Sequence, residues 1–435
     1  MDISRKEILP GVALTCLRSD KFKTACLSLS LLSQLRRETA SMNALIPFVL
    51  RRGTTLYPDM EAISRRLDEL YGTAIEPVVR RVGEIQCTGF YASIPEGDFL
   101  PGGQDILRDA AGLMGQILLS PATRGGLLLP DYVDSEREKL CELIRSRVND
   151  KRGYAMMRCM EEMCCYENYA VGRYGSESDC EGIHYQKLTR HYRSLLQTAP
   201  IELFYCGRAD SRRVEEAVTD ALAALPRGEI DLDIGTDVRM NAVEAEPRYV
   251  EEAMSVTQGK LVIGFRLGDA MEEPDPAALT VFNSVFGSGS TSKLFVNVRE
   301  RLQLCYYASS GIDMHKGLMV VSSGIEFDKF DEAKSEIFAQ LDEIKNGNIT
   351  DDELSAAKAG IASLLRSSMD SQGELEGFYL SQTLAGLDYG PMELAELVED
   401  VTKEDVAAIA RGVECDLIYF LKGNGEEGDD GGDDE

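Results

Sequence analysis

The chain has 435 residues, 44% hydrophobic and 28% charged, with 14 prolines; at a soft ~100 to 200 residues per domain this implies two to four domains and excludes collagen-like, low-complexity and wholly disordered classes. Lysine and arginine number 46 against 74 aspartates and glutamates, a formal charge of −28. A field of that sign repels phosphate backbones and anionic lipid, which argues against nucleic acid and membrane surfaces as partners and leaves neutral or basic peptides tolerated.

The first stretch, MDISRKEILPGVALTCLRSD, lacks the apolar run of a secretory signal, and no run of ~18 apolar residues follows, so a cytoplasmic location is expected. The 11 cysteines form no CxxC pair and read as small reduced core residues. In chain order, Ala25 to Leu32 (ACLSLSLL) alternates as a strand. A helical ALIPFVLRR, the pair Gly53-Thr54 and the helix MEAISRRLDELYG follow, and then IEPVVRRVGEIQCTGFYASI reads as a hairpin turning at Gly83. Asp131 to Asp150 carries a long helical period, and YAMMRCMEEMCC (Tyr154 to Cys165) reads as a plastic core helix.

The acidic, proline-bracketed run around 231–247 reads as a linker. Beyond it the same order of segments returns: strand LVIGFRL (Leu261 to Leu267), helical AALTVFNSVFG with Gly287-Ser288, helix SKLFVNVRERL, a hairpin turning at Gly317, and a long helix over Asp351 to Gln372. Leu27 and Leu261, like Gly53 and Gly287, lie 234 residues apart. The expectation is an α+β protein of two homologous domains, 1–230 and 248–423. Each is an antiparallel-rich mixed sheet with helices packed on one side, and an acidic disordered tail occupies 424–435. FGSGSTSKLF is not a phosphate loop, since Lys293 follows serine rather than glycine; it reads as a turn leading into a helix capped by Ser290, Thr291 or Ser292.

Three co-linear segments carry a family resemblance: NALIPFVLRRGT (43–54), YENYAVGRYGSESDCEGIHYQKLTRHYRSLLQTAPIELFYCG (166–207) and GSGSTSKLFVNVRERLQLCY (287–306). Together they make the chain resemble the inverzincins, the family of pitrilysin, insulysin and the mitochondrial processing peptidase, in a zinc-less bacterial branch. That family binds zinc with two histidines spaced i, i+4 around a general-base glutamate, plus a glutamate from a later helix. Matched on Gly53-Thr54, the histidine positions hold Ala44 and Phe48 and the base position Pro47; matched on the helix SEREKLCELIRSR, the third ligand is Leu143, with Glu142 beside it. None of the four can bind a metal. The three histidines, His184, His191 and His315, share no i, i+3 or i, i+4 relation. No metal or other cofactor is therefore expected in this chain.

The resemblance implies that two second-half residues persist, an arginine contacting the substrate carbonyl and a tyrosine stabilising the oxyanion, at Arg299 and Tyr306. It also implies that the loop Gly287, Ser288, Gly289 and Ser290 lies near substrate. The implied role is the non-catalytic half of a heterodimeric peptidase whose homologous, zinc-bearing partner completes the site, with a peptide as substrate. The alternative is a proteolytically inert structural or peptide-binding homologue, acting as a homodimer or as a complex core subunit.

Overall fold

The computed structural model describes residues 2–424; the acidic tail expected at the end lies, from residue 425 on, outside the described residues. Contacts divide the chain into two units. Among the described residues, the first comprises 2–145, 171–236 and 368–388, the second 146–170, 237–367 and 389–424.

In the first unit, β1 (Asp2–Leu9), β2 (Val12–Arg18), β3 (Thr24–Gln34), β4 (Ala74–Val82) and β5 (Ile85–Pro95) join β8 (Ile201–Gly207) in the order β1-β2-β8-β3-β5-β4, while β6 (Thr123–Arg124) and β7 (Leu127–Leu128) form a separate small hairpin. Only β2 and β8 run parallel. Leu27, Leu29 and Leu31 of β3 point to a core built with the helices Arg37–Leu50, Leu107–Leu119, Tyr185–Thr198 and Ser211–Ala221.

The second unit orders its strands β11-β12-β10-β13-β9, from β9 (Arg248–Met254), β10 (Gly259–Arg266), β11 (Cys305–Asp313), β12 (Leu318–Ile325) and β13 (Glu414–Gly423). Its one parallel pair is β13 with β9. Take β9, β13, β10, β12 and β11 for β2, β8, β3, β5 and β4, and the two sheets have one topology; β1 is an addition to the first. Both units are α+β. The glycines Gly53 and Gly287, which end the corresponding helices, serve the same need. A Cβ on Gly53 would lie 2.3 Å from the Pro58 carbonyl oxygen, and one on Gly287 2.5 Å from Ser310 Oγ.

Most helices of each unit stand on one face of its sheet. The other face is covered by a helix supplied from the opposite half of the sequence, so two helices cross the boundary drawn at 231–247. In the first unit that helix is Gln372–Ala385, whose Leu375 packs on Leu17, Cys26, Phe204 and Cys206. Ser28 and Ser30, on the face of β3 opposite its leucines, are thereby buried, and Ser28 donates to Glu376 Oε1 (2.9 Å). Arg80 pairs with the other oxygen of the same carboxylate, which is 2% exposed. In the second unit the covering helix is Lys151–Met163. Ala155, Cys159 and Met163, one helical face, meet Val262, Leu417, Tyr419 and Leu421. Gly264 leaves room for them, since a Cβ there would lie 2.5 Å from Met163 Sδ.

Glu167, just past that helix, also has a buried carboxylate, its side chain 1% exposed. It accepts from Arg266 Nη2 (2.7 Å) and pairs with Lys316 Nζ (2.6 Å), both cations being fully buried. Arg266 also reaches Asp416 (2.9 Å), which pairs in turn with Arg248 (2.9 Å). Burial alone would raise the Glu167 carboxyl, but the hydrogen bonds from Arg266 and Lys316 outweigh it and hold the group below the ordinary carboxylate range. Removing one member of such a network exposes the rest to an uncompensated buried charge, so Glu167→Ala should destabilise the chain by about 3–5 kcal/mol in urea unfolding. The depressed carboxyl contributes stability that is full above its unfolded value near ~4.3 and is lost as pH falls through the lower folded value. Glu167→Gln should therefore flatten the acid limb of the stability profile, and an unaltered limb would contradict this assignment.

Candidate functional site

The helix Arg37–Leu50 carries the positions matched to the zinc motif. Ala44 is fully buried in the first unit's core, Pro47 is buried within the helix, and Phe48 is partly buried against the same core. Pro47 has no backbone N–H to give the Asn43 carbonyl, so the position of a general base is held by a residue that interrupts the helix ladder. Leu143, on the helix Pro130–Ser146, is 41% exposed, and Glu142 beside it is exposed. Among the described residues, no group of three or more His, Cys, Asp or Glu side chains could hold a metal ion. The donor set does not fit zinc.

What organises this region instead is a polar cluster that sequence reading missed. Asn43, one residue before Ala44, is 1% exposed; its amide donates to Ser33 Oγ and Gln86 Oε1, both at 2.9 Å, and its oxygen meets His191 Nε2 at 2.5 Å. Gln86, with no exposed surface, donates in turn to the carbonyls of Ala40 (2.9 Å) and Arg173 (2.7 Å). With the Asn43 amide engaged as donor, its oxygen accepts, which puts a proton on His191 Nε2. Burial first, and then the Lys187 charge, lower the His191 pKa and keep the ring neutral. The cluster ties one helix to two strands and a second helix without a metal. A cavity of ≈ 130 Å³ lined by Asn43, His191, Ser33 and Asp231 adjoins it. His184 is exposed at the start of the helix Tyr185–Thr198, while His315 lies in the turn between β11 and β12. The three imidazoles have separate settings.

Arg299 and Tyr306 both lie in the second unit. Arg299 belongs to Leu294–Arg301, a π-helix whose end is wound wide, the Leu302 amide donating to the Asn297 carbonyl five residues back (3.1 Å). Its guanidinium sits 4.7 Å from the centre of the Phe295 ring and 3.6 Å from Glu300. The side chain is 41% exposed, so the acidic neighbour is a loose surface partner. Tyr306 sits where the β11–β12 register slips: Cys305 faces Ile325 and Tyr307 faces Gly324, leaving Tyr306 as the extra residue of a bulge. It is 55% exposed and its hydroxyl donates to Glu326 Oε1. That hydrogen bond, followed by the Glu326 charge, raises the phenol above its ordinary range. Cys305, one residue before Tyr306, is raised by burial, which outweighs the lowering by the Ser323 hydrogen bond and the Arg299 charge.

The loop Gly287 to Ser290 is pinned at one end and open at the other. Gly287 is buried and accepts from the Ser310 amide (3.1 Å), while Ser288, Gly289 and Ser290 are exposed. Of the three expected cap residues, Ser292 does the work, accepting from the Phe295 amide (3.3 Å) and donating to the Gly289 carbonyl (2.8 Å). The sequence signal for Glu326 was weak, a lone acid after an apolar strand.

Three comparisons bear on this arrangement. The family model of the peptidase M16 inactive domain matches residues 182–361. The probable inactive metalloprotease YmfF of Bacillus subtilis (strain 168) is 33% identical over 414 residues, 95% of this chain and 96% of that protein. Among solved structures, a conserved protein from Enterococcus faecalis V583 superposes with a TM-score of 0.87 at 24% identity, covering 97% of this chain and 99% of the other. A peptidase M16 inactive domain from Pseudomonas fluorescens reaches 0.77 at 16% identity, covering 97% and 98%. Among the described residues, no helix is long and apolar enough to cross a membrane. With metal-binding side chains missing from every motif position and an inactive relative matching along nearly its full length, the chain belongs to the peptidase M16 family as an inactive metalloprotease homologue.

Proposed function

We propose that this chain is the non-catalytic subunit of a heterodimeric peptidase in the cytoplasm. It lends Arg299 and Tyr306 to a homologous subunit that carries the zinc and hydrolyses the peptide. The observation that carries the reading is the asymmetry of loss: Ala44, Pro47, Phe48 and Leu143 cannot ligate or take a proton, whereas Arg299 and Tyr306 keep a spacing of seven and stay exposed. A surface arginine and tyrosine without a site to serve are under no packing constraint. Their placement on a π-helix and at a strand bulge, two backbone irregularities that re-aim side chains, supports a role outside this fold.

In the proposed assembly the Arg299 guanidinium binds the substrate carbonyl and the Tyr306 hydroxyl donates to the developing oxyanion. The exposed backbone of Ser288 to Ser290 is available to the peptide beside them. Peptide adding as a strand to a sheet edge would be selected more by its backbone than by its side chains.

Mixing the chain with a zinc-bearing homologue should give peptide hydrolysis absent from this chain alone. Arg299→Ala or Tyr306→Phe should lower kcat by roughly 10²-fold, the cost of one oxyanion donor. Association without any effect of either substitution would favour the inert structural or peptide-binding subunit instead. Restoring the motif is a second test. The triple variant Ala44→His, Pro47→Glu, Phe48→His places an imidazole in a fully buried apolar position and still lacks a ligand at Leu143, so metal analysis should find no stoichiometric zinc and thermal unfolding should occur lower than in the parent. Stoichiometric zinc in that variant would show that the site was only chemically, not structurally, lost.

A further inference from the structure

The Tyr306 hydroxyl is already engaged in this chain, by Glu326, to which the proposed function gives no part. Two hydrogen bonds lie at one end of the second unit's sheet. Lys260 Nζ donates to Gln258 Oε1 (3.1 Å), and at the same end of the sheet the Tyr306 hydroxyl donates to Glu326. Gln258 immediately precedes β10, Glu326 immediately follows β12, and Gly259 and Ile325 are register partners, so the bulge delivers the phenol to a point that the sheet itself defines.

A tyrosine has one proton to give. While Glu326 holds it, the phenol oxygen presents lone pairs, and Tyr306 cannot donate to a carbonyl oxygen or an oxyanion. We propose that Glu326 is a positioning residue that latches Tyr306 in the uncombined chain and must release the hydroxyl before Tyr306 can act as a donor. The inference rests on the role assigned to Tyr306 under the proposed function and names the contact that controls it. Glu326 and Tyr306 are both exposed, so the latch is a charge-assisted bond open to water, weak enough to yield to a docked peptide carbonyl or to a donor from the partner that takes over the Glu326 carboxylate.

The test uses E326Q, which keeps size and shape, in two settings. In the isolated chain with 13C-labelled tyrosine, the Tyr306 resonance is assigned by its loss in Y306F and followed through its ionisation. The midpoint should lie above the ordinary value near ~10 in the parent and fall towards it in E326Q. A midpoint unmoved by E326Q overturns the latch, whatever the assembled enzyme does. In the complex with the zinc-bearing homologue, E326Q should raise kcat about threefold to tenfold with little change in KM, the range expected for freeing one such hydrogen bond. In the Y306F background E326Q should then have no effect on kcat. An unchanged or lowered kcat, or an effect that survives in Y306F, overturns it as well. If the complex hydrolyses nothing while the midpoint still falls, the latch stands and the reading of the heterodimer fails.

Discussion

Two buried carboxylates hold this architecture together. Each unit leaves one sheet face to be covered by a helix that arrives from the other half of the chain, and each fastens that helix, or the turn after it, with a buried acid among donors: Glu376 with half-buried Arg80 and buried Ser28, Glu167 with buried Arg266 and Lys316. A buried ion pair is a poor source of net stability, because desolvation consumes most of the attraction. It is a good source of uniqueness, because a misplaced helix would leave two cations or a carboxylate uncompensated in the interior. The crossing helices thus have one permitted seat each, and neither half of the sequence contains a complete unit.

That constraint bears on the candidate site. With Lys151–Met163 seated over Val262 and Gly264, the second sheet is covered, and its irregularities fall at one end: the π-helix bearing Arg299, the bulge at Tyr306, and the register-defined positions of Gln258 and Glu326. In the first unit the helix Arg37–Leu50, which matches Pro276–Phe286 of the second, is built into the core, with Ala44 buried, Pro47 interrupting the ladder, and the Asn43, Gln86 and His191 cluster supplying cohesion.

Much of this was legible in residues. The Leu27/Leu261 and Gly53/Gly287 spacings anticipate the matched sheets, because strand alternation and a close-approach glycine are local requirements that survive divergence. The expectation of no metal in this chain rested on side-chain inventory alone. The crossing helices did not. ACLSLSLL alternates leucine and serine as a strand with one wet face would, and only the long-range arrival of Glu376 makes buried serines affordable. The Asn43 cluster escaped notice for a related reason: asparagine, glutamine and histidine far apart in sequence carry no periodic signal. Arg299 and Tyr306 were found through family resemblance, whereas Glu326 needed the bulge geometry to become visible.

The account depends on a division of labour, a chain without metal that is completed by one with it. Native mass spectrometry of this chain, alone and mixed with a zinc-bearing homologue, tests that division most directly. The prediction is a metal-free species alone and a one-to-one complex carrying a single zinc on mixing. Zinc retained by this chain in isolation, or two chains that never combine, would contradict it.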